Sequence, residues 1–135
     1  KKIYWAVVKN PPPKESDTLV HFLKRNPKQN KSYAHQKEVP ESKMAVLDYR
    51  LLKKLNSFYL LEVNLHSGRH HQIRAQLTAI GCPIKGDLKY GFDRSNKDGS
   101  IHLHSRELTL LHPVKKEEIH IIAPLPVDPV WDACN

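Results

Sequence analysis

The chain has 135 residues, enough for one domain with a real core and too few for two of ordinary size. Its 39% apolar and 27% charged residues make a globular balance, and no apolar run approaches the roughly 20 residues of a membrane-spanning helix. The net charge of +8 disfavours a cationic partner and points to a polyanion, of which nucleic acid is the commonest; a solvated lysine-rich surface is the plainer alternative.

Residues 2–8 alternate as a strand, with Ile3, Trp5 and Val7 on one face and Tyr4, Ala6 and Val8 on the other. Asn10-Pro11-Pro12-Pro13 stops it, because proline lacks the N–H that a ladder needs. Residues 10–44 read as a basic, loop-rich insertion with short strands near Leu19–Leu23 and Lys31–His35. Residues 44–52 alternate again and place Ala45, Leu47, Tyr49 and Leu51 together. After a short polar break, residues 58–65 form the clearest strand in the chain, so the two predict a hairpin.

Ser67-Gly68 ends that strand and 69–80 reads as a helix, with Ile73, Leu77 and Ile80 in an apolar stripe. Gly81 suits the position after the helix, and Pro83 prevents its continuation. A turn-rich loop follows, then strands over 101–111 and 118–122, and a helical turn near Pro129–Cys134. The expected fold class is α+β: a mixed, mainly antiparallel sheet with one main flanking helix.

The charge is unevenly spread: residues 1–54 hold 13 basic and 5 acidic residues, whereas 55–135 hold 9 of each. Lys2 and Lys31, in the basic half, are candidate phosphate contacts. Cys82 and Cys134 are far apart and form no CxxC, so neither a disulfide framework nor a common zinc site is expected. A reducing, cytoplasmic setting is the matching expectation.

Ser67-Gly68-Arg69-His70-His71-Gln72-Ile73-Arg74 is the densest set of chemically useful residues. Free N–H groups at a helix start, with Arg69 beside them, suit a phosphate. Arg74 borders the apolar stripe; if half-buried it needs a carboxylate partner, and otherwise it is a solvent-facing arginine. Adjacent His70 and His71 point to different sides of a helix, so they suit capping or RNA contact better than one shared metal. His102 and His104 share a strand face, where packing explains them better than an acid–base pair. Tyr4 has small neighbours and could stack on a nucleobase or exchange a proton, or serve as a sheet tyrosine.

Gly68-Arg69-x-His71-Gln72-Ile73-Arg74, followed by Gly86-Asp87-x-x-Tyr90-Gly91, resembles the RluA-type family of RNA pseudouridine synthases. Leu103-His104, His112-Pro113 and Ala123-Pro124-x-Pro126 continue the likeness, as does Lys2-x-Tyr4-x-Ala6-x-Val8 at the front. The resemblance implies an isomerase that cleaves the glycosidic bond of a uridine in ribosomal or transfer RNA, turns the base, and rejoins it through carbon. It implies no metal and no organic cofactor. By the same resemblance, Tyr4 is the active-site tyrosine and Arg74 the arginine paired with a nucleophilic aspartate. Arg69, His70 and His71 become RNA contacts, and Ile73 and Leu103 candidates for the uracil pocket.

One departure is large. The family's HRLD-type motif, which carries the nucleophile, is not among these residues. The expectation is therefore that residues 1–135 are the C-terminal portion of the catalytic domain, inactive alone. Arg74 should then be solvated, bound to an anion, or borrowing another acid. Asp87 is expected in a turn or capping role. Gln76 stands where the family often has histidine, a change expected to alter RNA contacts. No membrane and no obligatory protein partner are expected, though a dimer through an uncovered face is compatible with the truncation. Two other readings compete: a non-catalytic RNA-binding module, and a histidine-based hydrolase or metal enzyme.

Overall fold

A computed structural model describes residues 1–135. Seven strands form one sheet: β1 (Lys2–Val8), β2 (Ser16–Asn26), β3 (Lys31–His35), β4 (Lys43–Lys54), β5 (Tyr59–Leu65), β6 (Leu103–Leu111) and β7 (Glu118–Ile122). Their order is β3-β2-β4-β5-β1-β6-β7, and every adjacent pair is antiparallel. The sheet is thus fully antiparallel rather than mixed. Two helices accompany it, α1 (Gln72–Ala79) and α2 (Pro129–Asp132), with a 3-10 turn at Leu88–Tyr90.

Alternation assigns the two faces. Ala6, Leu47, Tyr49, Leu61 and Val63 point to the front, where Ile73 and Leu77 of α1 complete the main core. Val7 and Leu60 point to the back and meet Trp131 of α2 and Cys134. Tyr4 and Leu103 lie on the front face, half-buried against the main core.

Residues 10–44 are not loop-rich. They hold an 11-residue strand, β2, and its hairpin partner β3. The alternation in β2 is masked because His21 takes an inward position between Leu19 and Leu23, while Val20 is 49% exposed on the other side. The imidazole is accommodated because Gln76 of α1 bonds its Nδ1 at 2.9 Å.

Helix α1 starts three residues later than its apolar spacing predicts. His71 sits in the left-handed region at φ 51°, which no helix interior tolerates. The turn before it is closed by the buried Gln72 side chain. Gln72 Oε1 accepts from Ser67 Oγ at 2.9 Å and from the Arg69 N–H at 3.0 Å, and its Nε2 donates to the Val46 carbonyl at 3.1 Å. At the other end, Gly81 adopts φ +84°, and the N–H groups of Cys82 and Gly81 bond the carbonyls of Leu77 and Thr78. That double closure is the usual reason for glycine after a helix.

Candidate active site

Arg74 leaves α1 one position beyond the core residue Ile73, at the border between core and solvent. Its side chain is 20% exposed, so its charge needs a partner, and the partner is Asp87. Nε bonds Asp87 Oδ2 and Nη2 bonds Oδ1, both at 2.8 Å. This is the two-pronged geometry that suits guanidinium and carboxylate best. Of the three fates expected for Arg74, the structure selects the borrowed acid.

Of the expected turn or capping role, Asp87 keeps the turn, its carbonyl accepting from the Tyr90 and Phe92 N–H groups, but its side chain caps nothing. It stands before the 3-10 turn without capping it, and its side chain is 1% exposed. Gly86 delivers it. Gly86 has φ +87°, and a Cβ there would lie 2.6 Å from Asn96 Nδ2 and 2.9 Å from the Ser100 carbonyl. Only glycine brings the carboxylate to the arginine by this path.

His71 and Tyr90 complete the cluster. Arg74 Nη1 donates to His71 Nε2 at 3.2 Å, because a guanidinium can only donate. His71 must then carry its proton on Nδ1, which lies 2.9 Å from the Tyr90 hydroxyl. The Ser32 N–H donates to the same hydroxyl at 2.8 Å. The Tyr90 ring lies under the guanidinium, 4.8 Å from its carbon. Burial, followed by the Arg74 charge, pushes His71 down to about 4, so the imidazole stays neutral at pH 7.

The structure gathers some predicted residues and separates others. His70 stacks on His71 at 3.8 Å and reaches Ser32 Oγ at 2.8 Å and Asn30 Oδ1 at 3.1 Å, which ties it to the β2–β3 hairpin. Both histidines thus bond within the protein's own network, and His70 also lines the surface hollow beside Arg69. Arg69 is exposed, with Nε on the Met44 carbonyl at 3.1 Å. Lys31 lies over the rings of Tyr33 and Tyr90 at 5.1 and 5.2 Å. Lys2 stands apart: β1 and β3 are four strand spacings from each other, roughly 19 Å.

At the start of α1 the Gln72 N–H bonds the Arg69 carbonyl and the Ala75 N–H bonds the His71 carbonyl. Ile73 is 5% exposed and belongs to the core, which removes it from the wall of an open uracil pocket; Leu103 remains half-buried. Gln76 is fully buried beneath β2 and β4, with Oε1 unpaired, so it does not reach the surface where RNA would lie.

No three His, Cys, Asp or Glu side chains converge as metal ligands. His102 bonds Asp128 at 2.9 Å and packs on Trp131, as does His104, so both serve the back face. A surface depression of about 580 Å³, lined by Lys53–Phe58, Pro129, Val130 and Ala133, contains none of the site residues.

Sequence reasoning missed four contributors: Asp87 as a partner, Tyr90, Ser32 and Arg25. Arg25, Ser32, Lys43, Arg69 and His70 line one hollow of about 230 Å³ beside the cluster. The Gly86-Asp87-x-x-Tyr90-Gly91 pattern was the available signal for the first two. Nothing local distinguishes Ser32 or Arg25.

Comparison with known proteins covers the same residues. A family model described as RNA pseudouridylate synthase matches residues 1–79. An uncharacterized RNA pseudouridine synthase of Chloroflexus aurantiacus is 40% identical over 129 residues, covering 95% of this chain and 40% of the relative. A ribosomal large subunit pseudouridine synthase D of Haemophilus ducreyi is 33% identical, covering 66% of this chain and 31% of the relative. The chain thus spans less than half the length of these relatives. The solved structure of human RNA pseudouridylate synthase domain containing 1 superposes with a TM-score of 0.76 at 24% identity, covering 98% of this chain and 58% of that one. The matched strands and the Arg74-bearing helix together establish that this chain belongs to the RNA pseudouridylate synthase family.

Proposed function

We propose that these residues supply the tyrosine–arginine part of an active site that isomerises uridine to pseudouridine in RNA. The observation that carries this reading is the Arg74 guanidinium, held by Asp87 on one side and by His71 on the other, at the front-face border of the core. Two of its five N–H groups remain for a second acid. The nucleophilic aspartate of the family is that acid. Beside a cation it stays ionised and placed to attack the anomeric carbon.

Tyr4 projects from the same face as the core that holds α1, half-buried against it. There its ring can stack on a uracil turned out of the RNA, with Leu103 beside it. In the reaction the ribose–N1 bond breaks as the carboxylate bonds the anomeric carbon, the base turns, and C5 bonds that carbon as the carboxylate leaves. The proton on C5 is then lost, with the Tyr4 hydroxyl as the candidate acceptor. N1, freed from the ribose, takes up a proton in place of the one lost from C5, so composition and oxidation state are unchanged and the step needs no oxidant or reductant.

Arg25, Lys43 and Arg69 around the hollow, with Lys31 nearby, hold the RNA backbone. The names of ribosomal large subunit relatives favour ribosomal over transfer RNA as the substrate.

The test uses the natural protein that carries these residues, expressed from its full open reading frame. Tritium release from RNA labelled at uridine C5 is measured for the wild type, for Arg74→Lys and for Tyr4→Phe. Release that falls at least about 100-fold in Arg74→Lys supports the reading. No release by the wild type on ribosomal or transfer RNA, with binding retained, sinks it in favour of a binding module.

A further inference from the structure

We propose that Asp87 is a positioning residue for this reaction: it fixes the Nε/Nη2 side of Arg74 so that the remaining N–H groups meet the nucleophilic carboxylate. The inference rests on the isomerase reading above. Asp87 takes the Nε hydrogen and one Nη2 hydrogen, and His71 takes one on Nη1. The two hydrogens left sit one on each terminal nitrogen. A carboxylate has two oxygens to receive them.

Three features hold the guanidinium in this orientation. The Tyr90 ring lies under it at 4.8 Å. His71 is itself fixed between the Tyr90 hydroxyl and the stacked His70 ring. Asp87 is 1% exposed and follows Gly86, whose backbone is packed tightly against Asn96 and Ser100. An arginine on a free side chain samples many rotamers. Ordering it in advance removes that entropy cost from the transition state.

The plainer account is that the Asp87–Arg74 pair only pins the 81–91 loop to α1. That account predicts lost stability and an unchanged rate in the molecules that remain folded. The two accounts separate by experiment on the full-length natural protein, comparing wild type, Asp87→Asn and Asp87→Ala. The readouts are kcat and KM for tritium release, the rate with added formate, and the side-chain NMR signals of the Arg74 Nη protons.

With positioning, folded Asp87→Asn loses about 100-fold in kcat while KM for RNA stays within about twofold. Its Arg74 Nη signals, separate in the wild type, merge through free rotation. Formate restores at least about tenfold of the rate lost in Asp87→Ala, because it refills the vacated fork. A folded Asp87→Asn with kcat within about threefold of wild type overturns the proposal. So do Nη signals that remain separate in that variant. Should the wild type release no tritium, the isomerase reading fails by itself, and the Nη spectra alone decide whether Asp87 orients Arg74. If Asp87→Ala does not fold, Asp87→Asn carries the decision through the same kinetics and spectra.

Discussion

Two polar clusters flank the sheet, one on each face, and they differ in what they leave unused. On the back, His102 Nε2 bonds Asp128, and its Nδ1 accepts from Asn96 at 2.9 Å. Asp128 spends its second oxygen on the Trp131 N–H at 2.8 Å, and Asn96 Oδ1 receives Lys85 Nζ at 2.6 Å. The buried His102 thus has both ring nitrogens answered within the chain, and Trp131 packs against its ring. On the front, Asp87 and His71 answer three of the five Arg74 donors and leave two. Two clusters built from the same chemistry, His with Asp and Arg with Asp, thus have different capacities. A network that closes on itself holds a segment in place. One that leaves oriented donors at a partly exposed border can receive a ligand group.

That contrast can be broken from either side. The largest effect on stability belongs to the back: Trp131→Ala should cost about 4 kcal/mol by denaturant unfolding, since it empties a 3%-exposed site. If the clusters are independent, the Arg74 side-chain NMR signals do not change. Movement of those signals would couple the faces and weaken the contrast.

Next in size, Asp87→Ala should cost about 3 kcal/mol in the same measurement, the low end for breaking a buried pair, because Arg74 retains some exposure. A cost below about 1 kcal/mol would place Arg74 among surface arginines.

A smaller effect comes with pH. His71 has a folded value near 4 against an ordinary 6.5, so below pH 6.5 the unfolded chain takes up a proton that the folded chain refuses. Stability from this group is complete above pH 6.5 and is lost progressively down to about pH 4. Burial lowers His102 as well, which adds loss in the same direction on the back face. His71→Asn should flatten part of the acid limb in a pH series of unfolding curves; an unchanged limb would exclude His71 as a contributor.

The smallest effect concerns charge. Lys31→Ala should reduce the slope of log affinity for RNA against log salt by about 0.7–0.9, as one phosphate contact is lost. Lys2→Ala, remote from the cluster, tests whether the RNA path crosses the sheet. An unchanged slope confines that path to the hairpin side.

Much of this was legible in the residues themselves. The strands at 2–8, 58–65 and 118–122 and the terminal turn follow from alternation and proline placement, and the structure has them within a residue or two. The family followed from Gly68–Arg74 and Gly86–Gly91, because motif chemistry is written in short spacings. Strand β2 was obscure because a histidine occupies an inward site, and its acceptability depends on Gln76, 55 residues away. The start of α1 was misplaced because the left-handed His71 and the closing Gln72 side chain are invisible to an apolar-spacing rule.

By itself the sequence placed Arg74 beside the apolar stripe, where it needs an acid only if its side chain is half-buried. Only the tertiary structure decided which acid. Asp87 reaches Arg74 through the positive φ of Gly86 and the packing of the 81–91 loop against α1. The physical reason is that local patterns fix where a chain bends and which face it buries, whereas ion-pair choice depends on which side chains the fold brings within about 3 Å.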